Sequence, residues 1–296
     1  MIIKKNIIVV TGGAGFVGSN LIKFLLIKTN LRIISLDNYS TGVSKNHINN
    51  SRVKYLKGST TEINTKLNIY KKKINTIFHF GEYARIHQSF KDINECFNSN
   101  IEGTSKVFLF CLKHKIKIIY SATSASLGNN GLDQGLSPYA FSKSKNIKML
   151  IYLKKWFGLS YEALYFYNVY GDKQITSGRM ATVIGIFEKN YLMNKPMPVV
   201  MPGTQTRKFT HIDDTVNGCY LAWKKNLNRH YSVSHTKNYS MIQVEKMFSH
   251  KIKFLQKRLG ERYKSSVVKK IDKIKIYNIK CNKSLKKYIS DFKIKN

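Results

Sequence analysis

Ile7-Ile8-Val9-Val10 runs without a gap into Thr11-Gly12-Gly13-Ala14-Gly15-Phe16-Val17-Gly18. A continuous apolar, β-branched run of this kind fits a parallel strand buried on both faces. Beyond the glycines, Val17, Leu21, Phe24 and Leu25 recur at helical spacing. Strand, glycine turn and helix in this order form a cradle for a dinucleotide. Gly12 opens the turn, Gly13 allows it to be tight, Gly15 admits the pyrophosphate to the backbone, and Gly18 lets the helix pack closely. The first-turn N–H groups at Phe16, Val17 and Gly18, with the positive end of the helix dipole, face the phosphates. A second strand, residues 32–36, ends at Asp37. An acid about 20 residues past the glycines accepts from ribose hydroxyls and repels a 2′-phosphate, so the cofactor expected is NAD rather than NADP.

The length of 296 residues suits one large domain or a nucleotide domain with a smaller lobe, and 43% hydrophobic content is ordinary for a globular chain. No apolar stretch is long enough to span a membrane, and the first strand starts too early for a signal peptide. Cys96, Cys111, Cys219 and Cys281 have no metal-like spacing. They read as reduced, buried thiols of a cytoplasmic protein that binds no metal. The formal net charge is +35 and nearly all of it is Lys, spread along the chain rather than held in a block. That distribution reads as a solvated basic surface rather than a specific nucleic-acid site. It attracts a nucleotide diphosphate and weakly favours anionic surfaces.

Strand patterns at residues 7–10, 33–36, 53–56, 76–80, 116–120 and 164–167 alternate with helices following Gly15, Thr61, Asn94 and Pro138. This predicts an α/β fold with a Rossmann-type doubly wound parallel sheet and the active residues at the carboxyl ends of its strands. After Gly171 the rhythm changes. A helix over 180–192 leads to a short strand at 198–200 and a polar turn at Pro202-Gly203-Thr204. The division expected is an NAD-binding domain over 1–171 and a smaller, mainly substrate-binding C-terminal lobe over 172–296.

Further motifs follow the glycine turn in a fixed order: Leu36-Asp37-Asn38, Phe78-His79-Phe80, Asn100-Ile101-Glu102-Gly103-Thr104, Tyr139-x-x-x-Lys143, Phe166-Tyr167-Asn168-Val169-Tyr170-Gly171 and Thr206-Arg207-Lys208-Phe209-Thr210-His211. On these residues the chain resembles the extended short-chain dehydrogenases/reductases of the NAD-dependent nucleotide-sugar epimerase/dehydratase family. The resemblance covers nearly its full length and is closest to UDP-glucose 4-epimerases. It implies that Asn38, Phe80, Asn100, Tyr139 and Lys143 join the glycines and Asp37 at the cofactor, and that Thr123, Tyr139 and Lys143 carry the chemistry.

The residue types suit that role. A sugar alcohol gives up a hydride only if its hydroxyl proton leaves too. An unassisted tyrosine ionises near pH 10 and needs help to accept that proton at neutrality. Lys143, one helical turn on from Tyr139, supplies a positive charge on the same helix face. Thr123 orients the hydroxyl, with Ser124 as its neighbour and substitute. Dehydratases of the family carry an Asp-Glu pair after the Thr. Here Ser124-Ala125 follows, which leaves elimination without its acid and favours epimerisation through a transient 4-keto sugar. An ADP-heptose 6-epimerase, a 4-keto reductase and an NAD-binding regulatory protein without turnover are the alternatives.

The resemblance also implies that Arg207 and Arg258 grip the substrate diphosphate, bidentate arginine being suited to phosphate, and that Asn168 contacts the substrate. Seven residues past Arg258 lies Ser265. In related epimerases this position borders the 2-substituent of the sugar, and a serine there leaves room for an N-acetyl group. A homodimer through helices spanning 94–114 and 142–157 is likewise implied. Several positions depart from the pattern. Gly58-Ser59 stands for Gly-Asp, Lys208 for Asp, and Asp172-Lys173 for Pro-Arg. Gly81-Glu82-Tyr83-Ala84-Arg85 replaces a small, apolar run beneath the nicotinamide; Glu82 and Arg85 either remodel the sugar site or pair with each other.

Overall fold

The computed structural model describes residues 5–127, 133–248, 251–261, 269–271 and 273–296. Along the chain the elements are β1 (Ile7–Thr11), α1 (Phe16–Lys28), β2 (Arg32–Asp37), β3 (Val53–Lys57), α2 (Ile63–Leu67), β4 (Ile74–His79), α3 (Ile93–Phe97) and α4 (Thr104–Lys113). There follow β5 (Lys117–Thr123), α5 (Pro138–Phe157), β6 (Tyr161–Phe166), β7 (Asn168–Tyr170), α6 (Val183–Leu192), β8 (Met197–Val200), β9 (Thr206–His211) and α7 (Ile212–Lys225). The last are β10 (His230–Val233), β11 (Asn238–Ser240), α8 (Met241–Phe248), β12 (Ile252–Leu255), β13 (Lys270–Ile271), β14 (Ile274–Ile279) and α9 (Leu285–Lys295).

The main sheet has the order β13-β14-β10-β6-β5-β4-β1-β2-β3 and is parallel throughout except for β13 on β14. This is the doubly wound sheet expected from the alternating pattern. Its strand order reverses between β1 and β4, which opens a crevice at their carboxyl ends. Side chains alternate along each strand and so serve two cores. Ile8 and Val10 pack with Leu21, Ile22 and Leu25 of α1 and with Val216, Cys219 and Ala222 of α7. Val9 and Ile77 pack on the other face with Val107, Phe108 and Cys111 of α4 and with Ile147, Leu150 and Leu153 of α5. All four cysteines are buried free thiols. No helix among the described residues is long and apolar enough to cross a membrane.

The second half builds two small sheets, β11-β9-β7 and β12-β8, over a core that includes Tyr170, Phe187, Phe209 and Phe248. It also returns to the first half, since α7 covers one face of the main sheet and β10 and β14 extend its edge. Several boundaries move from those expected. The strand expected at 116–120 runs on to Thr123, because β6 continues to pair with it up to Phe166. The helix expected from 180 starts at Val183, where Thr182 Oγ1 accepts from the Gly185 N–H at 3.0 Å and caps it. The helix expected after Asn94 contains a π-helical turn at Asn98–Gly103 between α3 and α4.

Candidate active site

The glycine turn closes on the carboxyl end of β1. Gly12 has φ +71°, and a Cβ there would lie 2.9 Å from the Phe80 carbonyl, so Gly12 rather than Gly13 is the residue that needs the left-handed backbone. A Cβ on Gly13 would instead meet Ser35 Oγ at 2.3 Å, and one on Gly18 would meet the Gly12 carbonyl oxygen at 2.1 Å. Gly12, just ahead of the Gly-x-Gly-x-x-Gly set of Gly13, Gly15 and Gly18, is therefore fixed by conformation, Gly13 by its closeness to Ser35, and Gly18 by the approach of α1 to the turn. No side chain caps α1 at Gly15, so its first-turn N–H groups, at Phe16, Val17 and Gly18, stay available for an anion. Asp37, at the end of β2, is 6% exposed. It accepts from Ala14 N–H at 2.9 Å and from Tyr39 N–H at 2.8 Å, one bond on each oxygen. The carboxylate is thereby held beside the glycine turn with lone pairs to spare for hydroxyls. A cradle that side chains would fill, an uncapped helix end and a fixed acid fit a dinucleotide with a free ribose. Asn38 is exposed, its Oδ1 accepting from Ser40 N–H at 3.1 Å. Phe80 packs edge-on against Phe78 and Phe166 at the mouth of the crevice.

The second group of residues meets at the ends of β4 and β5. Ser137 caps α5 by accepting from Ala140 N–H, and Pro138 occupies its first turn. Tyr139 follows at once, near the positive end of this twenty-residue helix. Its side chain packs in one cluster with Tyr83, Ala125 and Met180. Lys143 lies one turn on, and its Nζ donates to the Ser121 carbonyl at 2.5 Å. Thr123 closes β5, where its Oγ1 accepts from Ala125 N–H at 3.2 Å. Thr123 is thus one hydrogen bond away from a residue packed with Tyr139. Ser124 is buried beside it.

Glu82 and Arg85 do not pair with each other. The Glu82 side chain is 2% exposed and forms an ion pair with Lys143. Arg85 instead donates Nε to the Met180 carbonyl at 3.0 Å and Nη1 to its neighbouring Ala84 carbonyl at 2.9 Å. Asn100 is fully enclosed. Its Oδ1 accepts from Tyr83 N–H at 2.6 Å, and its Nδ2 donates to the Tyr83 carbonyl at 3.0 Å and to Ser142 Oγ at 3.1 Å. It braces the segment after β4 from behind. What the sequence did not suggest for Glu82 is its partner, Lys143. The only signal at Glu82 was a charged residue in a run where a small, apolar one is usual.

On the substrate side, β7 pairs with β9 and sets Asn168 opposite Phe209, two residues past Arg207. Asn168 Nδ2 donates to the Lys208 carbonyl at 2.9 Å. Arg207 is largely buried and pairs with Glu261, a partner the sequence did not suggest. Arg258 is exposed in the same turn, and Glu261 N–H donates to its carbonyl at 3.3 Å. Gly260 of this turn has φ +73° and seats closely on Ile86, Phe90 and Leu136. The arginine turn therefore lies over the loop that follows β4. Ser265 falls outside the described residues. Ser59, standing where an Asp is usual, spends its hydroxyl as a cap, accepting from Thr61 N–H at 3.2 Å.

A switch-point crevice with a dinucleotide cradle on one side and a Tyr-x-x-x-Lys helix on the other defines a class, the Rossmann-type NAD-binding proteins. A profile of the NAD dependent epimerase/dehydratase family matches residues 8–234, and the chain belongs to that family. NAD is the family's cofactor. The chain is 27% identical over 276 residues to a putative UDP-glucose 4-epimerase of Methanocaldococcus jannaschii, covering 89% of this chain and 88% of the relative. Among solved structures it superposes on a UDP-glucose 4-epimerase of Thermotoga maritima with UDP-glucose, with a TM-score of 0.84 at 22% identity over 98% of this chain and 99% of that one. It superposes on a UDP-glucuronic acid 4-epimerase of Bacillus cereus in complex with UDP-glucuronic acid and NAD with a TM-score of 0.79, at 25% identity over 88% of this chain and 89% of that one.

Proposed function

We propose that the chain is a nucleotide-sugar 4-epimerase whose substrate is a UDP-hexose or UDP-N-acetylhexosamine. The observation that carries this reading is that Lys143 and Tyr139 of α5 both reach the carboxyl end of β5, Lys143 at the Ser121 carbonyl and Tyr139 at Ala125, whose N–H donates to Thr123, with Ser124-Ala125 where an eliminating enzyme needs an acid. When bound, NAD accepts a hydride from the sugar and gives it back. The glycine turn, Asp37 and the start of α1 would hold it, with Phe80 at the mouth of the crevice beside them. Tyr139 Oη takes the proton of the sugar 4-hydroxyl and later returns it. Lys143 and the α5 dipole favour the phenolate that this requires. Thr123 Oγ1 holds the hydroxyl in line. Arg207 and Arg258 hold the diphosphate, and Asn168 sits beside them. Inversion requires the 4-keto sugar to present its other face to the same tyrosine, so the grip falls on the nucleotide and leaves the ring free to turn.

The remaining expectations belong to the same reading. Buried free thiols suit a reducing compartment, the cytoplasm. Leu109 of α4 and Tyr152 and Trp156 of α5 are 51%, 47% and 62% exposed, and these apolar faces support a homodimer. The test is incubation of purified protein with NAD and, separately, UDP-glucose and UDP-N-acetylglucosamine, with products read by proton NMR. The expected product is the C4 epimer of one or both. A 4-keto-6-deoxy sugar would overturn the reading in favour of a dehydratase.

A further inference from the structure

Glu82 sits at the centre of a buried chain of hydrogen bonds whose direction can be worked out donor by donor. Phe80 N–H and Gly81 N–H both donate to Thr11 Oγ1, at 3.1 and 3.0 Å. The Thr11 hydroxyl proton is then free to go only to His79 Nδ1, 2.7 Å away. His79 therefore carries its proton on Nε2 and donates it to Thr104 Oγ1 at 2.9 Å. Thr104 Oγ1 in turn donates to Glu82 Oε1 at 3.0 Å. Tyr120 Oη and Asn146 Nδ2 also donate to Oε1, each at 3.1 Å, and Lys143 closes on Oε2. The chain needs His79 neutral, and burial holds that imidazole down at about 4. Every donor points at Glu82, as a carboxylate demands.

The arrangement also decides what Lys143 has left to offer. Of its three ammonium protons one goes to Glu82 and one to the Ser121 carbonyl, which leaves one for the crevice. Its charge rests 4.8 Å over the Tyr120 ring. We propose that Glu82 is a positioning residue for Lys143: it fixes the ammonium and offsets its charge, so that Tyr139 is kept as a proton donor to higher pH than the lysine alone would allow. The proposal rests on the reading of Tyr139 and Lys143 as the proton-transfer pair. It adds an acid to that pair where the family pattern has a small residue.

Other titratable groups facing the pair do not supply the offset. His79 on β4 is neutral, and burial pushes the Tyr120 hydroxyl on β5 and the Cys96 thiol on α3 up, the thiol to about 11. Tyr83 Oη donates to Asp92 at 2.8 Å, which is paired with Arg179 at 2.7 Å, and burial keeps the phenol protonated. Arg85 is a constant positive charge. Among the described residues, Glu82 is the negative group placed on Lys143.

The experiment compares the parent with Glu82→Gln, Glu82→Ala and Glu82→Asp. Alanine matches the small residue usual here and serves should Gln fail to fold. Tyr139 ionisation is read without substrate, as the tyrosinate absorbance that disappears when Tyr139→Phe is added to each background. The acid limb of kcat/KM is read where turnover is found. A unit charge near the phenol at an effective dielectric of about 20 corresponds to a shift of roughly one pH unit. Removing the carboxylate is expected to move both readouts to lower pH by about one unit in Gln and Ala, and by less than half of that in Asp. An unmoved tyrosinate titration in Gln and Ala, or an equal shift in Asp, overturns the proposal. Absence of epimerase turnover leaves the substrate-free titration intact, so it counts against the proposed function and not against Glu82.

Discussion

At the scale of single residues, the proposed reading assigns cofactor holding and proton transfer to different side chains. Tyr139 packs in a cluster with Tyr83, Ala125 and Met180, and in the proposed reading it is the proton-transfer group, so Tyr139→Phe should lower turnover by at least the roughly 10²–10⁴-fold typical of a lost general acid–base. NAD retained through purification, released by denaturation and measured enzymatically, should be unchanged. Loss of both together would show that the tyrosine supports the fold rather than the reaction. Asp37→Ala is the converse. It leaves the Ala14 and Tyr39 N–H groups without their acceptor and the ribose without its partner, so co-purified NAD should fall at least tenfold. Asp37 was legible because its position after β2 is tied to the glycines by the βαβ unit. Glu82 was not. Where a side chain turns after the end of a strand depends on what braces the backbone from behind. Here that brace is Asn100, which grips both polar groups of Tyr83 from 17 residues away.

At the scale of elements, the cradle makes a graded forecast. A methyl group on Gly18 meets the Gly12 backbone at 2.1 Å, and backbone cannot rotate away. Gly18→Ala should therefore cost about 1–3 kcal/mol of stability by overpacking, seen as a lower urea midpoint even without cofactor. A methyl on Gly15 meets the Gly12 carbonyl oxygen at 3.2 Å, a contact that a small shift relieves. Gly15→Ala should keep its urea midpoint closer to the parent and lose NAD affinity instead, by isothermal titration. Equal midpoints for the two variants would refute this division of labour. The strands were readable because buried parallel strands are continuous apolar runs. The start of α6 was expected three residues early, at 180, although Thr182, which caps it, is a residue type that begins helices. The π turn at Asn98–Gly103 was not legible, because one extra residue in a turn leaves no mark in composition. Its effect reaches the candidate site: Asn100 and Thr104, on either side of its end, both contact the segment around Glu82.

Across the whole molecule, two histidines set a pH limit. His79 and His230 are buried, and desolvation is the main cause that holds each at about 4, against 6.5 for a free imidazole. His230 lies between Tyr161 Oη at 2.8 Å and Tyr165 Oη at 2.9 Å. Above pH 6.5 folded and unfolded chains both carry these rings neutral, and they add no pH dependence. Between 6.5 and about 4 only the unfolded chain takes up the protons, so stability falls as pH falls, by roughly 3 kcal/mol for each ring. Urea unfolding at a series of pH values should show that slope, and His230→Gln should make it shallower by about one proton. A slope unchanged in the variant would mean that His230 is protonated in the folded state. The return of α7, β10 and β14 to the main sheet has a consequence of another kind. Strand β6 depends on β10 for one of its two neighbours, and β10 is contributed by sequence beyond the point where the nucleotide-binding motifs end. The two halves are laced together rather than joined end to end. A graft of the whole second half from a relative would unpick the sheet that holds the cofactor, whereas an exchange confined to the turn carrying Arg258 would leave that sheet whole. In the proposed reading, a new sugar preference on this scaffold is to be sought by rewriting turns, one at a time, rather than by swapping modules.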